Sequence, residues 1–206
     1  MAPTHQPEHR SKRCDGHSVG VLITDDHGRI LIGDRTDGAG VAPVAGHIYD
    51  AHSGPRSAAI DEVREETGLT VTRLTFITSG WRANRCRRGD GPDGPGHTWY
   101  LYRARTAGQL RLAPDSYRAM WWADPAELRT LAARTVGYAR GNLSDTEWAQ
   151  APGIEPVWVL WLHKADLDAL PLGSKNLDDV EETLPHCLPT QAIDLTSVAD
   201  DTGRAS

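Results

Sequence analysis

The sequence predicts a mixed α/β or α+β sandwich with helices added at its carboxyl end. Three features of the pattern predict this fold class. Runs of β-branched and aromatic residues lie on both sides of one amphipathic segment near residue 60. Turns that contain Gly, Asp or Pro separate these runs. Further helical segments follow the last predicted strand, so helices and strands do not simply alternate.

The amino-terminal half contains three predicted strands and one predicted helix. The first two strands cover residues 17–24 and 29–33, and the DDHG turn between them predicts a β-hairpin. A short strand is expected near residues 41–45. The helix is predicted over residues 53–67, because its apolar residues recur at helical spacing and Gly68 follows as a stop signal.

The carboxyl-terminal half continues the sheet and then becomes helical. The next strands are predicted at residues 71–79, 98–105 and 117–122. A proline at the first position predicts a helix over residues 125–139. Ser144 and Glu147 have the spacing of a capping box, which predicts a short helix. A last helix is predicted over residues 156–168, although the run VWVLWL is also compatible with a buried strand.

Length and composition divide the chain into four expected segments. Its 206 residues are enough for one domain with a core and some additions. Residues 1–16 and 190–206 are polar and rich in small residues, which is typical of loose tails. Residues 17–140 form the expected main domain. Residues 141–189 form an expected helical extension that packs on it.

Charge and cysteine usage restrict the expected partners and location. A net charge of −6 argues against binding of nucleic acid polymers or anionic membranes. The longest apolar run is too short to span a bilayer, and the first 16 residues lack the apolar segment of a signal peptide. The three cysteines are far apart without CxxC spacing, so we expect a cytoplasmic protein without a disulfide framework or a cysteine zinc site.

The most informative stretch is a cluster of glutamates on the predicted central helix. Glu62, Glu65 and Glu66 fall within an arc of about 100° because they are three and four residues apart. Like charges on one helix face repel each other, and a bound cation offsets that repulsion. Carboxylate oxygens are hard ligands that suit Mg²⁺ or Mn²⁺. The alternative is a solvated acidic face with Arg64 as a partner.

These glutamates belong to a longer pattern that resembles the signature of the Nudix hydrolase family. Gly46 lies upstream, and the matching run is Glu62-Val63-x-Glu65-Glu66-x-Gly68-Leu69. The resemblance covers about residues 17–135 and implies a mixed-sheet α/β/α sandwich with the signature helix beside the sheet. It also implies that the three glutamates bind the metal and act in catalysis, and that the Gly46 carbonyl completes the metal shell.

Two positions depart from the family signature. Asp61 stands where the family has arginine, and Ser53 stands where it has its first glutamate. The distance from Gly46 to Ser53 is also one residue longer than the pattern. In the family, this arginine and glutamate help to hold the helix and the loop before it. Their joint absence indicates loss of a pair, and Arg56 and Arg64 are the candidates to replace its support.

A basic cluster lies in the Gly- and Pro-rich loop 81–96 of this acidic protein. Its members are Arg82, Arg85, Arg87 and Arg88. Guanidinium groups grip phosphate oxygens bidentately, so these arginines are candidate substrate-binding residues, with a solvated loop tip as the alternative. Trp81 and Trp99 flank the loop as stacking or core residues. The family resemblance also suggests Asp115 as an extra metal ligand or general base, with a solvated turn after Pro114 as the alternative. His52 is a weaker candidate for a base, with a surface position as the alternative, and Cys86 is expected to be isolated.

The pattern therefore predicts a metal-dependent hydrolase of a phosphoanhydride bond in a nucleoside-diphosphate-linked or similar small metabolite. The expected cofactor is Mg²⁺ or Mn²⁺, which neutralises diphosphate charge and activates water. The expected partner is a small phosphorylated metabolite or nucleotide, and a homodimer is left open. Two alternatives remain: a catalytically weak domain that binds a nucleotide-like ligand, which Asp61 and Ser53 favour, and a prenyl-diphosphate isomerase.

Overall fold

The computed structural model describes residues 13–49, 52–84, 86, 88–165, 170 and 172–184. The first half contains β1 His17–Ile23, β2 Ile30–Arg35, β3 Val41–Ala42, β4 Val44–His47 and α1 Pro55–Thr67. The second half contains β5 Thr70–Ala83, β6 Gly96–Ala107, β7 Tyr117–Ala123, α2 Pro125–Ala139, α3 Asp145–Gln150, α4 Pro156–Ala165 and α5 Ser174–Thr183. The strands predicted from the sequence are present, and most extend one to four residues beyond their predicted ends.

The strands form two separate sheets. The larger sheet has the order β4-β1-β6-β5, and its central strands β1 and β6 are parallel. The smaller sheet has the order β3-β2-β7 and is antiparallel. The mixture of parallel and antiparallel pairs confirms the predicted mixed α/β class.

The predicted hairpin between the first two strands is wrong. A tight turn joins them, and the Asp25 carboxylate stabilises it by accepting the backbone N–H groups of His27 and Arg29. The two strands nevertheless belong to different sheets, and the turn adds one isolated bridge between Thr24 and Ile30. The reason is that β4 and β6 occupy both edges of β1, which leaves no edge for β2.

Two apolar cores cover opposite faces of the larger sheet. Val19, Val21 and Ile23 of β1 pack with α1 in one core. The intervening Leu22 faces the other core, which includes α2, α4 and α5. The layers are therefore helix, sheet and helix, as expected.

Several local predictions at the carboxyl end are confirmed. The second helix has the predicted bounds, and the Ser144 capping box is present with both of its hydrogen bonds to Glu147. The run VWVLWL is helical within α4, so the strand alternative is wrong, and residues 166–168 of that predicted helix lie outside the described residues. The last helix, α5, was not predicted. Among the described residues, no helix is both long and apolar enough to cross a membrane.

The expected amino-terminal tail is wrong for its last residues. Cys14 is 3% exposed and packs near the start of β1. The backbone carbonyl of Gly16 accepts a hydrogen bond from the Thr98 N–H at 2.8 Å, which ties this segment to β6. Residues 1–12 and the carboxyl-terminal tail lie outside the described residues.

Candidate active site

Glu62 lies directly against the backbone of β4. A Cβ atom at Gly46 would stand 1.9 Å from Glu62 Oε1, so only glycine lets the carboxylate approach this closely. Gly46 is held in place by its pairing with Val19 of β1. The Glu62 side chain is 17% exposed. The glycine upstream of the helix is therefore required by the packing of α1 on β4.

Glu66 lies one helical turn further along the same face of α1. Its Oε2 accepts a hydrogen bond from the Tyr117 hydroxyl at 2.9 Å. It also accepts hydrogen bonds from the backbone N–H of Ala45 and the side chain of Ser116. Burial nevertheless raises the pKa of Glu66 to about 7, against the opposing charge of Arg35. This carboxylate is therefore well placed to gain from a cation.

Glu65 differs from the other two glutamates because it is exposed. Its side chain is 57% exposed and lies 3.6 Å from the guanidinium of Arg64. Among the described residues, the three glutamates do not form a group whose ligand atoms all lie within 4.8 Å of one another. The helix thus places two carboxylates against the sheet and the third at its solvent side.

A histidine–aspartate pair occupies the region where the signature is altered. His52 Nδ1 lies 3.2 Å from Asp61 Oδ2, and its Nε2 lies 3.9 Å from Glu62 Oε1. Arg64 contacts the other Asp61 oxygen at 3.0 Å. The His52 side chain is 8% exposed, so the surface interpretation of this histidine is wrong. Ser53 instead contacts the Ser57 hydroxyl at 3.2 Å.

Three residues that the sequence analysis did not single out surround Glu66. Tyr117 and Arg35 face each other across the β2–β7 pair, and Ser116 precedes Tyr117. Burial shifts the pKa of Tyr117 well above its usual value, and the charge of Glu66 shifts it in the same direction. No spacing rule could have found this tyrosine, which is 51 residues from Glu66. Asp115, which was singled out, is exposed.

The arginine cluster divides into residues with different surroundings. The guanidinium of Arg82 lies 3.1 Å from Glu181 of α5 and 5.3 Å from the ring centroid of Trp161 in α4. The backbone N–H of Arg88 donates to Cys86 Sγ at 3.4 Å. Arg85 and Arg87 lie outside the described residues. The contacts of Arg82 favour a structural role for this arginine in holding the carboxyl-terminal helices.

The two tryptophans that flank the loop differ in their exposure to solvent. Trp99 is 4% exposed in the core, and its indole N–H donates to Asn84 Oδ1 at 3.2 Å. Trp81 is 50% exposed and lies across Gly96, where an added Cβ would meet its ring at 2.3 Å. Of the two, Trp81 has the exposed surface that stacking on a ligand requires.

Cys86 is not isolated in space. Its sulfur belongs to a group of four side chains whose ligand atoms all lie within 4.8 Å of one another: Cys14, His47, Cys86 and His97. Burial raises the pKa of Cys14 to about 11. Burial, and secondarily the neighbouring His47, lowers the pKa of His97 to about 4. The spacing argument against such a group failed because its members come from four separate segments of the chain.

Comparison with known proteins connects this geometry to a family. A family model described as the NUDIX domain matches residues 16–142. An RNA pyrophosphohydrolase from Gluconacetobacter diazotrophicus is 32% identical over 142 residues, which cover 60% of this chain and 83% of the relative.

Solved structures of this family are also similar to the chain. A MutT NUDIX hydrolase from Burkholderia pseudomallei is 23% identical with a TM-score of 0.44, covering 53% of this chain and 83% of that chain. The NUDIX domain of Shewanella oneidensis NrtR, solved with ADP ribose, is 13% identical with a TM-score of 0.45, covering 61% and 81%. The family match itself covers more than half of the chain. The chain therefore belongs to the NUDIX family, whose hydrolases act on pyrophosphate bonds and generally use divalent metal ions.

Proposed function

We propose that this chain hydrolyses a phosphoanhydride bond in a nucleoside-diphosphate-linked or similar small metabolite. Glu62, Glu65 and Glu66 would hold Mg²⁺ or Mn²⁺, and the Gly46 carbonyl would complete the set. The observation that carries the proposal is the placement of Glu62 and Glu66 side by side between α1 and the strand that contains Gly46.

The donor set fits a hard divalent cation. All proposed ligand atoms are oxygens, and a carboxylate with a pKa raised by burial gains the most from a nearby positive charge. When bound, the cation would neutralise diphosphate oxygens and activate water as the nucleophile. Tyr117 and the Ala45 N–H orient Glu66, and His52 and Asp61 position Glu62.

Proton transfer and phosphate recognition need further residues. Glu65 is the most solvent-exposed of the three glutamates, so we propose that it acts as the general base and accepts the proton from the attacking water. Arg85, Arg87 and Arg88 remain the proposed phosphate contacts of the loop. Arg82 was proposed with them, but its contacts with Glu181 and Trp161 favour a structural role.

A second candidate substrate is the 5′ diphosphate or triphosphate end of RNA. It is favoured by the 32% identity to an RNA pyrophosphohydrolase, of which this chain covers 83%. The net charge of −6 opposes it, because polyanion binding is normally supported by a basic surface. A catalytically weak domain that binds a nucleotide-like ligand is the remaining alternative.

A substrate panel tests this proposal. It contains nucleoside triphosphates, nucleotide sugars, dinucleoside polyphosphates, ADP-ribose and a 5′-triphosphorylated RNA oligonucleotide, each with Mg²⁺ or Mn²⁺. We expect hydrolysis of at least one small compound, and a loss of roughly 100-fold or more in the Glu62→Gln/Glu66→Gln double variant, since even outer-sphere changes cost about 10–100-fold. Hydrolysis of the RNA alone would select the second candidate. Ligand binding without turnover would select the weak binding domain.

A further inference from the structure

We propose that Cys14, His47, Cys86 and His97 bind one Zn²⁺ ion, in a structural site separate from the carboxylates of α1. The four residues come from different parts of the fold. Cys14 precedes β1, His47 ends β4, Cys86 lies in the β5–β6 connection, and His97 is the second residue of β6. Their ligand atoms all lie within 4.8 Å of one another.

The distances between these atoms suit a tetrahedral zinc ion. Cys14 Sγ lies 3.4 Å from His47 Nε2 and 3.1 Å from His97 Nε2, and Cys86 Sγ lies 3.4 Å from His47 Nε2. Zinc bonds of about 2.3 Å to sulfur and about 2.0–2.1 Å to nitrogen, at a tetrahedral angle, place sulfur and nitrogen about 3.5 Å apart. The donors therefore already lie at nearly the right separations.

The tautomer of His97 is fixed in the form that binds metal. Asn84 Oδ1 accepts the indole N–H of Trp99 at 3.2 Å, and an indole nitrogen can only donate. The same oxygen lies 3.0 Å from His97 Nδ1, which must therefore carry the imidazole hydrogen. His97 Nε2 then presents its lone pair to the cluster. A hydrogen bond on the far ring nitrogen is the usual support of a histidine that ligates zinc.

Both sulfur atoms receive backbone hydrogen bonds. The Gly16 N–H donates to Cys14 Sγ at 3.3 Å, and the Arg88 N–H donates to Cys86 Sγ at 3.4 Å. Such donors stabilise thiolates. Two thiolates and two neutral imidazoles balance the charge of Zn²⁺, so the complete site has no net charge, as its burial requires. Cys14 and His97 are each 3% exposed.

Four protein ligands leave no open position, which is typical of a structural zinc site. The ion would join the segment before β1, the end of β4 and the two ends of the β5–β6 connection. That connection contains the proposed phosphate-binding arginines, and His47 directly follows Gly46. Zinc would therefore fix the arginine-containing connection beside the strand on which Glu62 packs.

The experiment measures metal content and the ligand set without using activity. The full chain, purified under reducing conditions without a metal-binding tag, is saturated with Zn²⁺, freed of excess ion and analysed by elemental mass spectrometry. We expect one equivalent of zinc per chain. Cobalt substitution should give sulfur-to-cobalt charge-transfer bands and the strong visible bands of a tetrahedral ion.

Matched variants assign the ligands. Bound zinc and the cobalt bands should both be lost in Cys14→Ser, Cys86→Ser and His97→Gln. Cys187→Ser and His27→Gln replace the same residue types elsewhere and should keep both, as should Glu62→Gln. Asn84→Ala should weaken zinc affinity about 10–100-fold, as expected for a partner of a ligating histidine.

Several outcomes would overturn the proposal, and the first two concern metal binding by the wild-type chain. One is a folded, reduced wild-type chain that takes up less than about a tenth of an equivalent of zinc, since a structural site is normally filled at saturation. The other is a cobalt adduct without sulfur charge transfer. A disulfide between Cys14 and Cys86 would also overturn it. Denaturation without reductant should then expose one thiol, whereas the zinc site predicts that all three cysteines of the chain titrate. Zinc loss in Cys187→Ser would contradict the assigned ligand set.

Discussion

At the residue scale, the three glutamates of α1 are not equivalent, although their spacing in the sequence does not distinguish them. Spacing alone places all three on one arc, but burial distinguishes them. Glu66 accepts a hydrogen bond from the Tyr117 hydroxyl, and burial raises the pKa of its carboxyl. Glu62 packs against Gly46, and Glu65 is exposed to solvent. These differences arise from contacts of α1 with β4, the strand just before it in the chain, and with Tyr117 of the remote strand β7. The chemistry of each carboxylate therefore depends on tertiary contacts.

The first prediction concerns Glu66→Gln in the absence of divalent cations. Burial raises the pKa of this carboxyl from 4.5 to about 7, so both the folded and unfolded states are protonated below about pH 4.5. As the pH rises towards 7, the unfolded chain loses the proton first and folding stability falls. At pH 8 the wild type should therefore be less stable than the variant by roughly 3 kcal/mol.

Urea unfolding between pH 4 and 8 measures this difference. The stability advantage of Glu66→Gln should vanish near pH 4, and Mg²⁺ should reverse it at pH 8 because the cation stabilises the ionised wild type. The control is Glu65→Gln, whose side chain is exposed. A Glu66→Gln variant that is less stable than the wild type at pH 8 without metal would contradict the account of this residue.

The second prediction concerns the His52–Asp61 pair. His52→Glu should repel Asp61 and Glu62, and Asp61→Arg should repel Arg64 and remove the carboxylate that contacts His52, so each single change should lower kcat/KM about 10–100-fold. The double variant restores an opposite-charge pair in reversed order. Its kcat/KM should be at least about tenfold higher than that of the His52→Glu single variant, which corresponds to a coupling free energy of about 1.4 kcal/mol. Independent, additive effects in this double-mutant cycle would show that the pair does not position Glu62.

At the element scale, local signals predicted α1, α2 and the capping box of α3, because the relevant contacts lie within a few residues. The same approach failed for the β1–β2 hairpin, whose pairing depends on β4 and β6. It also missed α5, although Leu177, Val180 and Leu184 recur near helical spacing and belong to the core that includes α4. The helical spacing of α5 can be read from the sequence, whereas the pairing partners of β1 cannot.

The third prediction tests the packing of α1 on β4. In Gly46→Ala, the new Cβ would overlap the Glu62 carboxylate, so either the side chain or the helix must move. We expect a loss of at least about tenfold in kcat and weaker activation by Mg²⁺, with a folded protein by circular dichroism. The matched control is Gly173→Ala, where φ is −67° and no atom lies within 4 Å of the added Cβ. Wild-type activity in Gly46→Ala would show that this contact is not needed.

The fourth prediction tests the packing of α4 on the opposite face of the larger sheet. A Cβ at Gly20 would lie 2.4 Å from the Trp158 ring, which is fully buried. Gly20→Ala should therefore lower the free energy of unfolding by about 1–3 kcal/mol. Chemical denaturation measures the change. A Gly20→Ala/Trp158→Phe double variant should be destabilised by less than the sum of the two single variants, and strict additivity would argue against this contact.

At the scale of the whole molecule, the sequence identified the family and the glutamate-containing helix α1 but not how distant segments meet. Cys14, His47, Cys86 and His97 cannot be grouped from their spacing, because the pairing of β1 with both β4 and β6 brings the segments of Cys14, His47 and His97 together. The carboxyl-terminal helices likewise complete the core and contact Arg82. Neither feature is encoded in the family signature.

The central claim is that the glutamates of α1 hold a divalent cation required for hydrolysis. The most direct test is turnover of a panel substrate as Mg²⁺ is added from zero to chain already saturated with zinc, which separates the proposed carboxylate site from the proposed zinc site. We predict no measurable turnover without Mg²⁺ or Mn²⁺ and saturable activation on their addition. Glu62→Gln and Glu66→Gln should each require more cation and lose roughly 100-fold in kcat, whereas Glu182→Gln, an exposed control on α5, should match the wild type. Full turnover without added divalent cation, or wild-type activation in both glutamate variants, would contradict the account.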